Sequence, residues 1–292
     1  IGDPVDMLVP ENATLEQIES ARARLGLDKP LPVQYGIFIR DVLHGNFGKS
    51  YIYGKPAMDL IFERMPATLE LVAVAACLVL CIAIPLGVYA GAYPKRASSK
   101  LIMSGSILGI SLPSFWVGMM MIYIFAVVLR LLPASGRGNT VMVGNVALSI
   151  FAPGGIRYVI LPAITLALTN VATMLRLTRS GILENMRQDY IKFARAKGVP
   201  AKSILFGHAL KNALIPVVTI FGMDLGNMIA FTTITETIFA WPGMGKLLID
   251  AINKSDRPII VAYLMAAACM FVVLNFIVDI LYTLIDPRIE LR

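Results

Sequence analysis

Residues 67–92 read ATLELVAVAACLVLCIAIPLGVYAGA, with Glu70 as the only charged side chain. Because a bilayer core about 30 Å thick is crossed by roughly 20 apolar residues of helix, this stretch predicts a transmembrane helix. Membrane helices tolerate internal prolines, so neither Pro85 nor the later Pro113, Pro162 and Pro216 argue against a span. Four further stretches meet the same test, and we therefore predict five spans, at 67–92, 101–130, 159–182, 213–238 and 259–285.

The composition of the whole chain supports a membrane protein. Of its 292 residues, 57% are hydrophobic and 15% are charged, against about 25% charged residues in soluble domains. The net charge of +7 does not indicate nucleic-acid binding, because the basic residues lie beside the apolar stretches and form no stripe with interleaved aromatics. Glycines four residues apart inside the spans indicate close helix packing. These pairs are Gly87 with Gly91, Gly105 with Gly109, and Gly222 with Gly226. We predict an all-α integral membrane protein, a polytopic helical bundle.

The distribution of basic residues predicts the orientation. Segments 93–100, 183–212 and 286–292 lie on one side of the membrane and carry a dense set of lysines and arginines. On the other side, the basic residues fall mainly in the long segment 1–66. Short basic loops face the cytoplasm, whereas long segments contribute little to orientation. We therefore predict a transmembrane domain at 67–285 with a cytoplasmic loop at 183–212 and a cytoplasmic tail at 286–292.

Segment 1–66 is then extracytoplasmic. It opens with Ile1 and lacks the basic region and apolar core of a signal peptide. We therefore expect a further transmembrane helix to precede it.

Motifs for enzymatic chemistry are incomplete. The fragments Gly48-Lys49-Ser50 and Gly245-Lys246 resemble a phosphate-binding loop, but Leu43 and Ala240 occupy the places of the required first glycine. His44 and His208 are too far apart in sequence to suggest a zinc site. We predict no catalytic residue, no metal and no cofactor on this chain.

Polar residues inside the spans are candidates for a translocation pathway, because ionisable groups are costly there. Asp224 lies well inside its span, Asn227 follows three residues later, and Glu236 lies nearer the end. No lysine or arginine lies at matching depth. We predict that these three residues line the pathway; buried, hydrogen-bonded structural roles are the alternative.

The cytoplasmic loop 183–212 is the most informative region. Apolar residues at helical spacing predict an amphipathic helix that Gly198 and Pro200 end; they are Leu183, Met186, Tyr190, Phe193 and Ala194. We expect the small residues Ala194, Ala196 and Gly198 to be exposed near its tip. Such a loop suits insertion into a groove of a partner, and a helix lying on the membrane surface is the alternative.

This loop also carries a resemblance to a known family. Residues 194–198 (Ala-Arg-Ala-Lys-Gly) and 208–216 (His-Ala-Leu-Lys-Asn-Ala-Leu-Ile-Pro) resemble the cytoplasmic loop of permeases of binding-protein-dependent ABC importers, in the branch for dipeptides, oligopeptides and nickel. Further motifs of that family stand in the same order along the chain: Gly2-Asp3-Pro4, Leu112-Pro113-Ser114-Phe115-Trp116, Leu132-Pro133-Ala134-Ser135-Gly136, Trp241-Pro242-Gly243-Met244-Gly245 and Asp286-Pro287-Arg288.

The loop departs from the general importer motif. Lys192-Phe193-Ala194 stands where Glu-Ala-Ala would stand, and His208-Ala209-Leu210-Lys211 where Ile-x-Leu-Pro would. Ala194 and Gly198 carry over, but a contact through glutamate does not. The peptide branch is expected to show this variant.

The resemblance implies the fold of a type I importer permease in the bacterial inner membrane, with two cytoplasmic ATPases, a second related permease and an extracytoplasmic binding protein as partners. ATP and magnesium would bind the ATPases. On this resemblance the ATPase-coupling residues are Tyr190, Phe193, Ala194, Arg195, Ala196, Lys197 and Gly198. The substrate would be a peptide or a related small solute. Two alternatives are an ion-gradient-driven transporter or channel, and a membrane scaffold without transport.

Overall fold

The computed structural model describes Val5, Val9 and residues 13–24 and 27–285. The predicted tail 286–292 and the motifs at 2–4 and 286–288 lie outside the described residues. In the described part of the N-terminal segment 1–66 there are two short helices, α1 (Leu15–Arg24) and α2 (Leu31–Leu43). Thr14 caps α1 in a reciprocal box, since its backbone amide donates to Gln17 Oε1 while its hydroxyl accepts from the Gln17 amide.

The remaining elements form a helical bundle with one small hairpin. They are α3 (Ala57–Ala92), α4 (Ala97–Ser111), α5 (Ser114–Met121) with a π-helical continuation (Ile122–Val128), β1 (Val141–Val143), β2 (Val146–Leu148), α6 (Ile156–Asn185), α7 (Asp189–Ala196), α8 (Ala201–Ser203), a π-helical segment (Ile204–Ala209), α9 (Leu210–Ile238), α10 (Met244–Asn253) and α11 (Arg257–Ile285). The two strands pair antiparallel, with Val143 opposite Val146.

Among the described residues, four helices are long and apolar enough to cross a membrane: α3, α6, the continuous helix 201–238, and α11 over its residues Arg257–Val278. A fifth span exists if α4, α5 and the π-helical continuation are counted together. These helices overlap the five predicted spans, which confirms the predicted class of fold.

The second span differs from the sequence prediction. We predicted a span over 101–130 that Pro113 would not interrupt, but the chain bends by 105° between α4 and α5. Leu112 has an extended backbone, with φ −89° and ψ 130°. The ring of Pro113 disfavours helical backbone at the preceding residue and removes one amide donor, so the helix ends there. Pro85, Pro162 and Pro216 lie inside continuous helices.

Glycines bring the long helices together at two of the three predicted pairs. A β-carbon added at Gly87 would lie 2.6 Å from Thr178 Cβ, and one at Gly91 would lie 2.7 Å from Ile182 Cβ, so α3 and α6 touch through these glycines. Gly222 and Gly226 similarly admit side chains of α11 against α9. Gly105 has no neighbour within 4 Å, and its pair with Gly109 makes no comparably close contact among the described residues.

The core has three parts along the long axis of the bundle. A central cluster is built on α3, α6 and α9, and the fully buried Trp241 joins it. A second cluster packs the start of α3 against α10 and the start of α11, with Ile61, Met244 and Ile259 fully buried. A third lies at the opposite end, around Ile182 and Ile191. The polypeptide is therefore packed at both ends as well as in the middle.

Candidate functional site

The predicted coupling loop forms a short helix that is supported from behind. Helix α7 begins at Asp189 after a turn at 186–188. Its buried residues Ile191 and Ala194 pack into the third cluster, against Ile182 of α6 and Ala213 of α9. Apolar side chains are buried on both sides of this contact, and their burial fixes α7 to the bundle.

Polar contacts add to this support. The Tyr190 hydroxyl donates to Asn185 Oδ1 over 2.7 Å, and Asn212 Nδ2 donates to the same hydroxyl over 2.9 Å. One phenol group thus connects α7 with the end of α6 and with α9.

The outer side of α7 is open. Phe193 is 63% exposed, and Arg195, Ala196, Lys197 and Gly198 are also exposed. The Lys197 ammonium lies 4.5 Å from the centroid of the Phe193 ring, within the range of a cation–π contact. An aromatic ring and basic side chains are therefore presented together, away from the core.

The structure corrects the predicted faces of this helix. Ala194 was expected at an exposed tip but is buried, whereas Phe193 was placed on the apolar face but is exposed. The prediction continued one helical phase from Leu183 to Ala194. The turn at 186–188 interrupts that phase, so the register of α6 does not carry over to α7.

Gly198 ends the helix in a left-handed conformation, with φ +75°. Its amide donates to Arg195 O over 3.0 Å, and the next amide, of Val199, donates to Ala194 O over 3.2 Å. A β-carbon at Gly198 would meet nothing within 4 Å. The left-handed backbone conformation favours glycine at this position. No atom of this chain fills the space where a side chain would begin.

At the start of α7, Lys192 Nζ donates to Asp189 Oδ1 over 2.8 Å. This hydrogen bond and the positive charge lower the pKa of the Asp189 carboxyl group. The carboxylate therefore stays ionised at the positive end of α7.

A cavity of about 300 Å³ lies between α5, α6 and α9. Asp224, at the midpoint of α9, and Asn227 both line it; their place in a translocation pathway stays a prediction. The other lining residues are Ser114, Thr165, Leu166, Thr169, Asn170, Thr173, Met228, Phe231 and Thr235. The structure thus brings Asp224 and Asn227 together in one cavity with hydroxyl and amide groups of α6.

Glu236 does not line this cavity. Its carboxylate is fully buried, accepts a hydrogen bond from Thr68 Oγ1 over 2.6 Å, and accepts another from the Lys246 amide over 2.9 Å. The Met244 amide donates to Thr68 Oγ1 over 2.8 Å. Glu236 therefore caps the start of α10, and this position corrects its predicted place in the pathway in favour of the structural alternative.

The Trp241–Gly245 motif adds further contacts at the start of α10. The Trp241 indole donates to Ala67 O over 2.9 Å. A β-carbon at Gly245 would lie 2.5 Å from Thr233 Cα, so α10 can approach α9 only with glycine there. The motif thus has a packing role in this chain.

A second buried polar group surrounds Glu70, the charged residue of the first predicted span, and its partners are distant in sequence. Its Oε2 accepts from Arg137 Nη2 over 2.5 Å, and its Oε1 accepts from the backbone amides of Ser149 and Ile150 over 2.6 and 2.7 Å. Arg137 also donates to Ala147 O. The partners lie 67 to 80 positions apart, so only the fold reveals that Glu70 holds the hairpin loop against α3.

No group of three or more metal-ligating side chains occurs among the described residues. The same part of the chain contains no complete phosphate-binding loop, because Leu43 and Ala240 occupy the places of its first glycine; Gly48 lies in the loop after α2 and Gly245 in the first turn of α10. The two candidate regions are thus the exposed side of α7 and the cavity at Asp224.

Comparison with known proteins gives consistent results over the whole chain. Residues 83–291 match the family described as binding-protein-dependent transport system inner membrane component, and residues 2–72 match the N-terminal family of the same systems. The probable D,D-dipeptide transport system permease protein DdpB of Escherichia coli is 38% identical, over 99% of this chain and 88% of that protein. The oligopeptide transport system permease protein AppB of Bacillus subtilis is 39% identical, over 99% and 90%.

A solved structure shares the fold. The MetNI methionine ABC transporter, in an inward-facing structure, contains a chain that matches with a TM-score of 0.61 and 16% identity, over 78% of this chain and 97% of that one.

Proposed function

The chain belongs to the family of binding-protein-dependent transport system inner membrane components, and from this membership we propose how its parts serve an ATP-driven importer of peptides or related small solutes. The chain is a multi-pass permease of the inner membrane. It forms half of the pathway, and a second, related permease forms the other half. Two cytoplasmic ATPases bind ATP and magnesium, and an extracytoplasmic binding protein delivers the substrate.

One observation carries the coupling role: the exposed side of α7 is held rigidly from behind. A docking element must transmit displacement, and Ile191, Ala194 and Tyr190 connect α7 to α6 and α9. Phe193, Arg195, Ala196, Lys197 and Gly198 remain available to the ATPase. Closure of the ATPases on ATP would move α7 and, through it, the two long helices.

The proposed substrate class follows from the relatives. The proteins DdpB and AppB belong to dipeptide and oligopeptide transport systems, and the cavity at Asp224 offers polar groups on both α6 and α9. An ion-gradient-driven transporter or channel has no comparable support.

The test uses the complex reconstituted in proteoliposomes with its ATPases and binding protein. Gly198→Val adds bulk on the proposed docking side. We expect it to release the ATPases or to reduce ATP-dependent uptake by about tenfold or more, equivalent to at least 1.4 kcal/mol of lost coupling. Membrane insertion should be retained, since a β-carbon at Gly198 meets no atom of this chain.

Gly144→Val is the matched control. Gly144 also has a positive φ, +63°, and free space around a β-carbon, but it lies in the extracytoplasmic hairpin turn. The backbone strain is comparable, so the control should keep its ATPases and its uptake. Retention of ATPases and full uptake in Gly198→Val would refute the docking assignment. Uptake driven by an ion gradient without ATP would refute the importer itself.

A further inference from the structure

Several polar side chains present hydrogen-bond acceptors to the cavity at Asp224. Three of its polar side chains direct their donors to carbonyls of their own helix, α6. Thr165 Oγ1 donates to Leu161 O over 2.9 Å, Thr173 Oγ1 to Thr169 O over 3.2 Å, and Asn170 Nδ2 to Leu166 O over 3.2 Å. A hydroxyl that has donated its hydrogen still has lone pairs, and an amide keeps its carbonyl oxygen. These groups therefore offer mainly acceptors to a ligand.

Asp224 adds a negative charge to this surface. Asn227 interacts with its carboxylate through the side chain, which leaves the Asn227 carbonyl oxygen as a further acceptor. The lining contains no lysine, arginine or histidine. Asp224 takes part in none of the ion pairs found among the described residues.

We propose that this cavity binds the ammonium group of a substrate, with Asp224 as its counter-ion and the hydroxyl and amide oxygens as additional acceptors. An ammonium group brings a positive charge and three donors, which complements one carboxylate and several acceptor oxygens. A carboxylate group would meet the like charge of Asp224. Asp224 is thereby assigned to the amino end of the substrate.

The size of the cavity is consistent with this role. A volume of about 300 Å³ is at the lower end of the range for small-molecule sites. The site therefore accommodates the amino-terminal end of a peptide and not a long extended chain.

The inference rests on the proposed transport function, but its test needs neither ATP nor the binding protein. In the assembled complex, Cys77, Cys81 and Cys269 are replaced by serine and Thr169, on the open side of the cavity, is replaced by cysteine. The rate of its alkylation by a maleimide is then measured with trialanine or with N-acetyl-trialanine. We expect trialanine to protect the cysteine at a concentration at least about tenfold lower than N-acetyl-trialanine does, because hydrogen bonds to charged groups contribute about 1.5–3 kcal/mol.

Two further variants test whether Asp224 causes the preference for trialanine over N-acetyl-trialanine. Asp224→Asn should remove it, so that both peptides protect equally. Asp59→Asn, the same change at an exposed residue of α3 outside the cavity, should preserve it.

Equal protection by the two peptides in the parent, or an unchanged preference in Asp224→Asn, would overturn the proposal, as would the absence of any protection by trialanine. Assembly that depends on Asp224 would also overturn it, since the carboxylate would then pair with the second permease. None of these results bears on ATP-dependent uptake, which decides the proposed function separately.

Discussion

At the scale of single residues, the most consequential contact is the buried pair of Glu70 and Arg137. Their side chains are 2% and 11% exposed. The Glu70 carboxylate also accepts hydrogen bonds from the backbone amides of Ser149 and Ile150, which begin the turn after β2. Removing one partner from such a pair leaves an uncompensated buried charge.

We predict that Arg137→Met destabilises the protein by about 3–5 kcal/mol, the range for breaking a buried ion pair. The measurement is thermal unfolding of the purified protein in detergent, together with protease sensitivity of the hairpin loop. The control is Lys55→Met, which breaks the exposed pair of Lys55 with Glu63 and should cost about 1 kcal/mol or less. Equal stability of the two variants would contradict the structural role of Arg137.

The polar residues inside the spans differ in how far the sequence alone could place them. The sequence predicts that Asp224 and Asn227 line a pathway, because a carboxylate in the middle of an apolar span requires a polar environment. In the structure both line one cavity. The same reasoning failed for Glu236, whose partners Thr68 and Lys246 are a buried hydroxyl and a backbone amide. A carboxylate near the end of a span can face a pathway or cap a helix, and only the arrangement of α3, α9 and α10 distinguishes the two.

At the scale of elements, apolar length was sufficient to locate the long helices but not their breaks. Pro85, Pro162 and Pro216 are absorbed within helices, whereas the chain breaks before Pro113. All four prolines lack an amide donor, so composition alone does not separate them. The difference lies in whether the neighbouring helices accommodate the altered backbone, which is a property of packing.

Helix α7 permits a test in which its two sides give opposite results. Ile191 is fully buried in the third cluster, whereas Phe193 is 63% exposed. We predict that Ile191→Ala lowers the free energy of unfolding by about 2–5 kcal/mol, as for a large core residue. Phe193→Ala should leave unfolding nearly unchanged and weaken retention of the ATPases on the purified complex.

Thermal unfolding of the permease and pull-down of the ATPases measure the two effects. Each variant is the control for the other, since both truncate an apolar side chain of the same helix to alanine. If Phe193→Ala destabilised the chain as much as Ile191→Ala, the assignment of an outer docking side would be wrong. On the apolar face that the sequence pattern predicts, Phe193 and not Ile191 would be buried, and Phe193→Ala would then be the more destabilising of the two changes.

At the scale of the whole molecule, the two candidate regions share their helices. Helix α6 carries Thr165 and Thr173 in the cavity and ends at Asn185, which binds Tyr190 of α7. Its 30 residues extend about 45 Å. Helix α9 carries Asp224 and, near its start, Asn212, which binds the same hydroxyl. Under the proposed coupling, we expect displacement of α7 to act on two walls of the cavity, those formed by α6 and α9.

This arrangement requires that α7 face the cytoplasm and that the hairpin of β1 and β2 face the other side. The dense basic segments predict that orientation through the positive-inside rule. Single cysteines report this orientation in a chain without Cys77, Cys81 and Cys269. One replaces Met142 in the exposed hairpin, and the other replaces Lys202, which is exposed after α7. On intact spheroplasts a membrane-impermeant maleimide should label Met142→Cys, and it should label Lys202→Cys only after permeabilisation. Inside-out vesicles should show the reverse order, which controls for local reactivity of each thiol. Labelling of Lys202→Cys from outside would place α7 on the wrong side for cytoplasmic ATPases, and the coupling proposal would then fail together with the predicted topology.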